Sequence, residues 1–207
     1  MRGESQRLRR TLTVDNLMNM AIKSMQFNGK WKASFGEPEL KGSWIIWGNS
    51  GNGKTRFALQ LAKYLCSFSK VLYDSMEEGV GISFRKAIME TNMSDVANNF
   101  HVVDNEPVNE LKKRLRRQRS EDIVFIDSLQ YSMLNYNAYV KLKEEFPNKL
   151  FIFISHAEGK NPAGRTASKL RYDANIKIHV SQYSAYPLSR YGGGEPYVIW
   201  KEGANDL

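Results

Sequence analysis

A chain of 207 residues with 42% hydrophobic residues and 12% aromatics carries enough apolar material for one compact domain with a substantial core. Thirty Lys and Arg against 22 Asp and Glu leave a formal charge of +8, which favours polyanionic partners such as nucleic acid over acidic proteins or cationic surfaces. The lone Cys66 rules out an internal disulfide, His101, His156 and His179 are too scattered to suggest zinc, and no apolar run approaches the roughly 20 residues of a membrane span. No hydrophobic signal region follows the opening MRGESQRLRR, so the expected location is the cytoplasm.

Residues 1–10 form a polar, basic arm containing Arg2, Arg7, Arg9 and Arg10. Val14, Leu17, Met18, Ala21, Ile22 and Met25 then recur at helical spacing and predict a short amphipathic helix. From Phe27 to Gly42, glycines, a proline, Trp31 and Phe35 predict an ordered loop, so residues 1–42 read as arm, helix and loop. From residue 43 to 207, strand-length apolar runs alternate with amphipathic helical segments, the pattern of an α/β domain with a mainly parallel sheet. The expected strands are Trp44–Trp47, Val71–Tyr73, Phe100–Val103, Ile123–Ile126, Leu150–Ile154, Ile176–Val180 and Tyr197–Trp200. Expected helices begin near Gly53, Val80, Pro107, Asn135 and Ala167. The last two strands are separated by Pro187 and Gly192-Gly193-Gly194 rather than by a helical pattern, which predicts an antiparallel hairpin at the sheet's end.

Gly48-Asn49-Ser50-Gly51-Asn52-Gly53-Lys54-Thr55 satisfies G-x-x-x-x-G-K-[ST]. In such a loop, glycines let the backbone curl until successive N–H groups converge on phosphate oxygens at a helix N-terminus. Lys54 is placed to reach the β and γ phosphates, Thr55 to ligate Mg²⁺, and Arg56 completes the candidate nucleotide-binding set. The apolar Ser43–Trp47 before the loop and the amphipathic Arg56–Leu65 after it supply the required strand and helix. Asp127, ending the apolar run Ile123–Ile126, is the candidate second holder of the magnesium site. Glu77 and Glu78 follow the second strand, where a parallel sheet delivers them beside the loop; Glu77 is the favoured base for attacking water and Glu78 the alternative.

These residues resemble the RecA-like ATPase superfamily, especially its RadA, KaiC and DnaB-helicase branches, over roughly residues 43–201. Four motifs carry the resemblance in order: Gly48–Thr55, Asp74-Ser75-Met76-Glu77-Glu78, Phe125-Ile126-Asp127-Ser128-Leu129-Gln130 and Phe153-Ile154-Ser155-His156. It implies a three-layer αβα fold with a mainly parallel central sheet, Glu77 as catalytic base and His156 as sensor of the γ-phosphate. It also implies that Glu158–Arg165 is a mobile loop facing DNA, with Lys160 and Arg165 as phosphate contacts. Lys169 and Arg171 become candidates for reaching a neighbour's nucleotide, as in a ring or filament of identical subunits. The accessory domains of the replicative helicases and of RadA have no counterpart, so the resemblance implies a bare ATPase core.

Leu111–Arg119 is the densest basic cluster and predicts a helix with a strongly positive outer face. Tyr131, Tyr136 and Tyr139 are candidates for stacking on single-stranded bases or for packing. Asn148-Lys149-Leu150-Phe151 lacks the aspartate of a guanine-reading box, which favours ATP over GTP. The function expected is a magnesium-dependent, DNA-stimulated ATPase working as an oligomer on single- or double-stranded DNA. A partner-binding ATP switch or loader and a small-molecule kinase are the alternatives.

Overall fold

The computed structural model describes residues 11–205, so the basic arm with Arg2, Arg7, Arg9 and Arg10 lies outside the described residues. From Gly42 onward, strands and helices alternate: β1 (Gly42–Gly48), α3 (Lys54–Leu65), β2 (Val71–Ser75), α4 (Ile82–Glu90), β3 (Phe100–Asp104), α5 (Val108–Leu115), β4 (Ile123–Asp127), α6 (Tyr136–Glu145) and β5 (Leu150–Glu158). A two-residue β6 (Asn161–Pro162), α7 (Arg165–Asp173), β7 (Ile176–Ser181), β8 (Ser184–Ser189), β9 (Tyr197–Val198) and α8 (Lys201–Asn205) complete the chain, with α1 (Val14–Met18) and α2 (Gly29–Phe35) preceding the sheet.

The strands form a sheet in the order β3-β2-β4-β5-β1-β7-β8-β9, with β6 folded back on β5. The six strands from β3 to β7 in that order run parallel, and β8 and β9 add antiparallel pairs at one edge. All five residues of β2 and of β4 are buried, which is why Val71–Tyr73 and Ile123–Ile126 read as apolar runs rather than as alternation. Alternate residues feed two separate cores. Trp44 and Ile46 of β1 pack with Phe35, Phe57, Leu61 and Phe84, from α2, α3 and α4. Ile45 and Trp47 face the other way and pack with Leu111, Leu142 and Leu170, from α5, α6 and α7. The result is three layers, helices on both faces of one sheet.

Local sequence explains the helix starts that position the site. Asn135 caps α6, its side-chain oxygen accepting the Ala138 N–H at 2.9 Å. In α5, Leu111 and Leu115 are buried at i, i+4, as the basic run predicts. The positive outer face is largely matched by carboxylates: Lys112 and Arg116 pair with Glu145, Lys113 with Glu110 and Arg114 with Glu106.

Three expectations are corrected. The helix from Val14 ends at Met18, and Val14, Leu17, Met18 and Ile22 are exposed, because no partner face lies against them among the described residues. The expected loop from Phe27 to Gly42 contains α2. Its Trp31 stacks on Tyr64 and Tyr197, and Phe35 is fully buried against Trp44 and Phe57. With Met25, Phe27 and Leu40 also buried, this segment shares the core of α3 and β1. Finally, the partner of β7 in the hairpin is β8 rather than Tyr197–Trp200, of which only Tyr197 and Val198 form a strand. The connection is two residues, Gln182 and Tyr183, both with φ near +50°, the geometry that matches strand twist in a tight hairpin. Pro187 lies opposite Ile178, beyond the two β8 residues that β9 pairs, so it escapes the demand for hydrogen bonds on both sides.

Candidate functional site

The carboxyl ends of β1, β2 and β4 point the same way, and residues at or just past them line one cleft of about 390 Å³. Its lining includes Ser50, Gly51, Gly53, Lys54, Thr55 and Arg56 from the loop and helix start, Glu77 and Glu78 from beyond β2, and Asp127 at the end of β4. Tyr183 and Trp200 close the far side. In a parallel α/β sheet this is where ligands bind, because loops leaving neighbouring strands diverge there and open a crevice.

The loop at 48–55 is shaped by its glycines. A Cβ on Gly48 would lie 2.2 Å from the Val180 carbonyl oxygen, so β1 and β7 approach as they do only because residue 48 has no side chain. Gly53 has φ +91° and turns the chain directly into α3, leaving the first N–H groups of that helix facing the cleft. The Asn52 side chain fastens the loop to the hairpin by accepting the Gln182 N–H at 2.9 Å. Lys54 Nζ donates to the Asn49 carbonyl at 3.0 Å. Burial draws the Lys54 ammonium below the ordinary lysine range, while the charges of Glu77, Asp127 and Glu78 pull it back up.

Asp127 is buried, and Tyr73 donates its hydroxyl to Oδ2. Desolvation raises the carboxyl to about 6; the Tyr73 hydrogen bond opposes the rise, and Glu77 and Glu78 add to it. The Asp127 carbonyl accepts the Met76 and Glu77 N–H groups at 2.6 and 3.0 Å, which fixes the loop after β2 beside the end of β4. The peptide bond from Asp127 to Ser128 is cis.

Glu78 Oε1 accepts the Thr55 hydroxyl at 3.3 Å. Glu77 Oε2 lies 2.8 Å from His156 Nε2, and β5 delivers His156 directly beside Gly48 of β1. Lys54, Thr55, Glu77, Glu78, Asp127 and His156 thus come together from four separate chain segments. The oxygen-rich set suits a hard cation. Among the described residues no group of three or more His, Cys, Asp and Glu side chains is arranged to hold a metal ion by itself.

The remaining predicted residues lie elsewhere. Lys160, Arg165 and Lys169 are exposed on the β5–β6 turn and α7. Lys169 rests over the Tyr136 ring, and Arg171 packs over Trp47 while donating to Asn161 Oδ1 at 2.7 Å. Tyr139 is fully buried, its hydroxyl bonded to Asp173 and to Ser43, so it packs the core and is not a base-stacking surface. Tyr131 remains exposed near His156.

Tyr73 shapes the site without having carried a recognised signal, and the partners that hold the predicted Arg56 were not legible. Tyr73 supports Asp127 because alternation along two parallel neighbouring strands puts both on one face. Arg56 is held by Glu90 at 2.7 Å with its guanidinium over the Trp200 ring, a contact between residues too far apart in the chain to be read from spacing.

No family model matches the chain, and no curated protein matches it. Among solved structures, the flagellar accessory protein FlaH from Methanocaldococcus jannaschii is similar with a TM-score of 0.58 at 16% identity, over 86% of this chain and 97% of that one. The fold is RecA-like. At that identity the likeness speaks for the architecture alone, an αβα sandwich with a mainly parallel sheet and a C-terminal antiparallel hairpin. No helix among the described residues is long and apolar enough to cross a membrane.

Proposed function

We propose that this chain binds ATP with Mg²⁺ in the cleft beyond β1 and hydrolyses it. The observation that carries the reading is the convergence of Lys54 and Thr55 with Glu77, Glu78 and Asp127 beside a glycine-shaped loop at the start of α3. The backbone N–H groups of residues 49–55 and the Lys54 ammonium hold phosphate, and Thr55 and Asp127 hold the metal ion. When bound, Mg²⁺ neutralises charge on the phosphate oxygens and orients them for in-line attack. Glu77 orients and deprotonates the water, Glu78 keeps the Thr55 hydroxyl in place, and His156 reads the γ-phosphate.

The chain's net charge of +8 and the exposed Lys160 and Arg165 support DNA as the partner that stimulates turnover, with the nucleotide site completed by a neighbouring copy. Phosphate release measured with and without single- and double-stranded DNA, alongside sedimentation with and without ATP, tests both parts. Stimulation by DNA that disappears in a Lys160→Ala, Arg165→Ala double variant, together with nucleotide-dependent assembly, is the expected result. Unchanged turnover with every nucleic acid, by a species that stays monomeric, would remove DNA and assembly from the reading and leave the ATP site standing.

A further inference from the structure

The amino ends of the parallel strands, opposite the cleft, carry a segment that the fold leaves uncovered. Leu12, Val14, Leu17, Met18, Met20 and Ile22 are all exposed, Val14 by 73% and Met18 by 80%, and α1 buries no residue. Six such side chains within eleven residues make a patch, unlike the scattered single apolar residues of an ordinary surface. Its conformation is defined nonetheless: the Thr13 hydroxyl accepts the Asn16 N–H at 3.2 Å, and Asn16 Oδ1 accepts the Thr13 N–H at 3.4 Å, a reciprocal cap on α1.

The surroundings of this segment are basic. The Lys23 carbonyl accepts the Leu40 N–H just before β1, the Lys149 carbonyl accepts the Gly42 N–H, and the Lys70 carbonyl accepts the Ile123 N–H, which sets all three lysines at the amino ends of β1 and β4. Arg117 and Arg119 lie between α5 and the start of β4 and are exposed, as are Lys23 and Lys70. The carboxylates here are engaged: Glu39 with Lys41, Glu121 with His101, and Asp122 with Lys149 and Ser69. Lys23, Lys70, Arg117 and Arg119 pair with no carboxylate among the described residues. In the sequence, Arg2, Arg7, Arg9 and Arg10 directly precede the apolar segment, and up to Lys23 only Glu4 and Asp15 oppose them.

Exposed apolar side chains beside an excess of positive charge match the surface of a bilayer with anionic headgroups, where the acyl boundary takes the first and the headgroups take the second. A nucleic acid would neutralise the arginines and leave the six apolar side chains in water. We propose that residues 1–23 are a membrane-surface docking element, in which Val14, Leu17, Met18 and Ile22 enter the headgroup boundary and Arg7, Arg9, Arg10 and Lys23 hold anionic lipid. The i, i+3, i+4, i+8 spacing of those four apolar residues puts them on one stripe of a helix that continues α1 to Ile22. So short a helix is marginal in water, and burying its stripe at the interface sustains it. Because the strands from β3 to β7 run parallel, the cleft lies at the other end of the sheet, and docking at this end leaves it open to solvent.

The test is co-sedimentation of the full chain with vesicles of phosphatidylcholine, alone or mixed with phosphatidylglycerol. Wild type is compared with a Leu17→Glu, Met18→Glu double variant and an Arg7→Gln, Arg9→Gln, Arg10→Gln triple variant. Wild type is expected to bind the mixed vesicles and not phosphatidylcholine alone. Each variant should bind the mixed vesicles about tenfold or more weakly and melt at the wild-type temperature, because α1 buries nothing. Wild type that binds neither vesicle overturns the proposal, as does a glutamate variant that binds mixed vesicles like wild type, since the contact is then electrostatic alone. A glutamate variant that melts lower overturns it too, by showing that α1 is packed in the fold. Sedimentation without lipid or nucleotide, and binding of single-stranded DNA, test the other occupants. A wild-type oligomer that the glutamate variant reduces to monomer assigns the apolar face to a second copy, and an equal loss of DNA binding in both variants assigns the segment to nucleic acid; either result overturns the proposal.

Discussion

His156 Nε2 stands 2.8 Å from Glu77 Oε2, a contact between residues 79 positions apart that ties the end of β5 to the loop after β2. The pairing gives the two adjacent carboxylates different partners, because Glu78 is engaged instead by the Thr55 hydroxyl. Replacing Glu77 by Gln keeps the shape and removes the proposed base. It is expected to leave ATP affinity within about threefold of wild type and to lower the single-turnover hydrolysis rate by about 10²–10⁴. Glu78→Gln should cost far less in rate and should weaken binding of Mg²⁺ and ATP. If the two variants exchange these phenotypes, Glu78 is the base.

Asp74 supplies a pH test of the fold. It is fully buried on β2, accepts the Glu106 N–H at 3.0 Å through Oδ1, and has no partner for Oδ2 among the described residues. Burial raises its carboxyl from 3.8 to about 7, with the Glu106 N–H opposing, the Glu106 charge adding to the rise and the Arg114 charge opposing it. The unfolded carboxyl ionises near its ordinary value. Between that value and about 7 the folded chain therefore holds a proton that the unfolded chain has lost, and stability falls as pH rises through this window. Asp74→Asn cannot ionise and still offers an oxygen to the Glu106 N–H. Relative to wild type, it should gain about 2–4 kcal/mol between pH 4.5 and pH 8 in urea unfolding. Parallel stability curves for the two proteins would contradict the assignment.

Phe35 tests whether α2 belongs to the same core as the sheet. Fully buried against Trp44 and Phe57, it should cost about 3–5 kcal/mol as Phe35→Ala, with a single cooperative unfolding transition retained. A loss below about 1 kcal/mol would show that residues 27–42 are an appendage.

What the sequence made legible follows from how local each signal is. The loop at 48–55, the strand before it and the helix after it are contiguous, and the central strands β1, β4 and β5 were apolar runs because both of their faces are buried. Asp127 was readable for the same reason, as the first charge after such a run. The seven-residue α2 is too short to show periodicity, and its aromatics read as loop until their partners Tyr64, Tyr197 and Trp44 are in place. In β8, Pro187 and the alternation of small, polar and apolar residues hid a strand. The exposed apolar run after Thr13 had helical spacing without a face to bury against, and spacing alone sustained only α1. Gln130 stood inside a recognised motif, but its contacts reach Ser155, His156 and Ala163 across the fold, and no pattern along the chain announces them.

The central claim is that the cleft at the end of β1 binds and hydrolyses ATP, and phosphate release from Mg²⁺ and ATP by wild type and Lys54→Ala tests it most directly. The ammonium of Lys54 sits among the charges of Glu77, Asp127 and Glu78, and its removal takes from the cleft the cation proposed to hold the phosphates. The account predicts magnesium-dependent turnover by wild type and a loss of about 10²-fold or more in the variant, with the melting temperature unchanged. Equal turnover by both proteins, or no nucleotide binding by wild type, would contradict it.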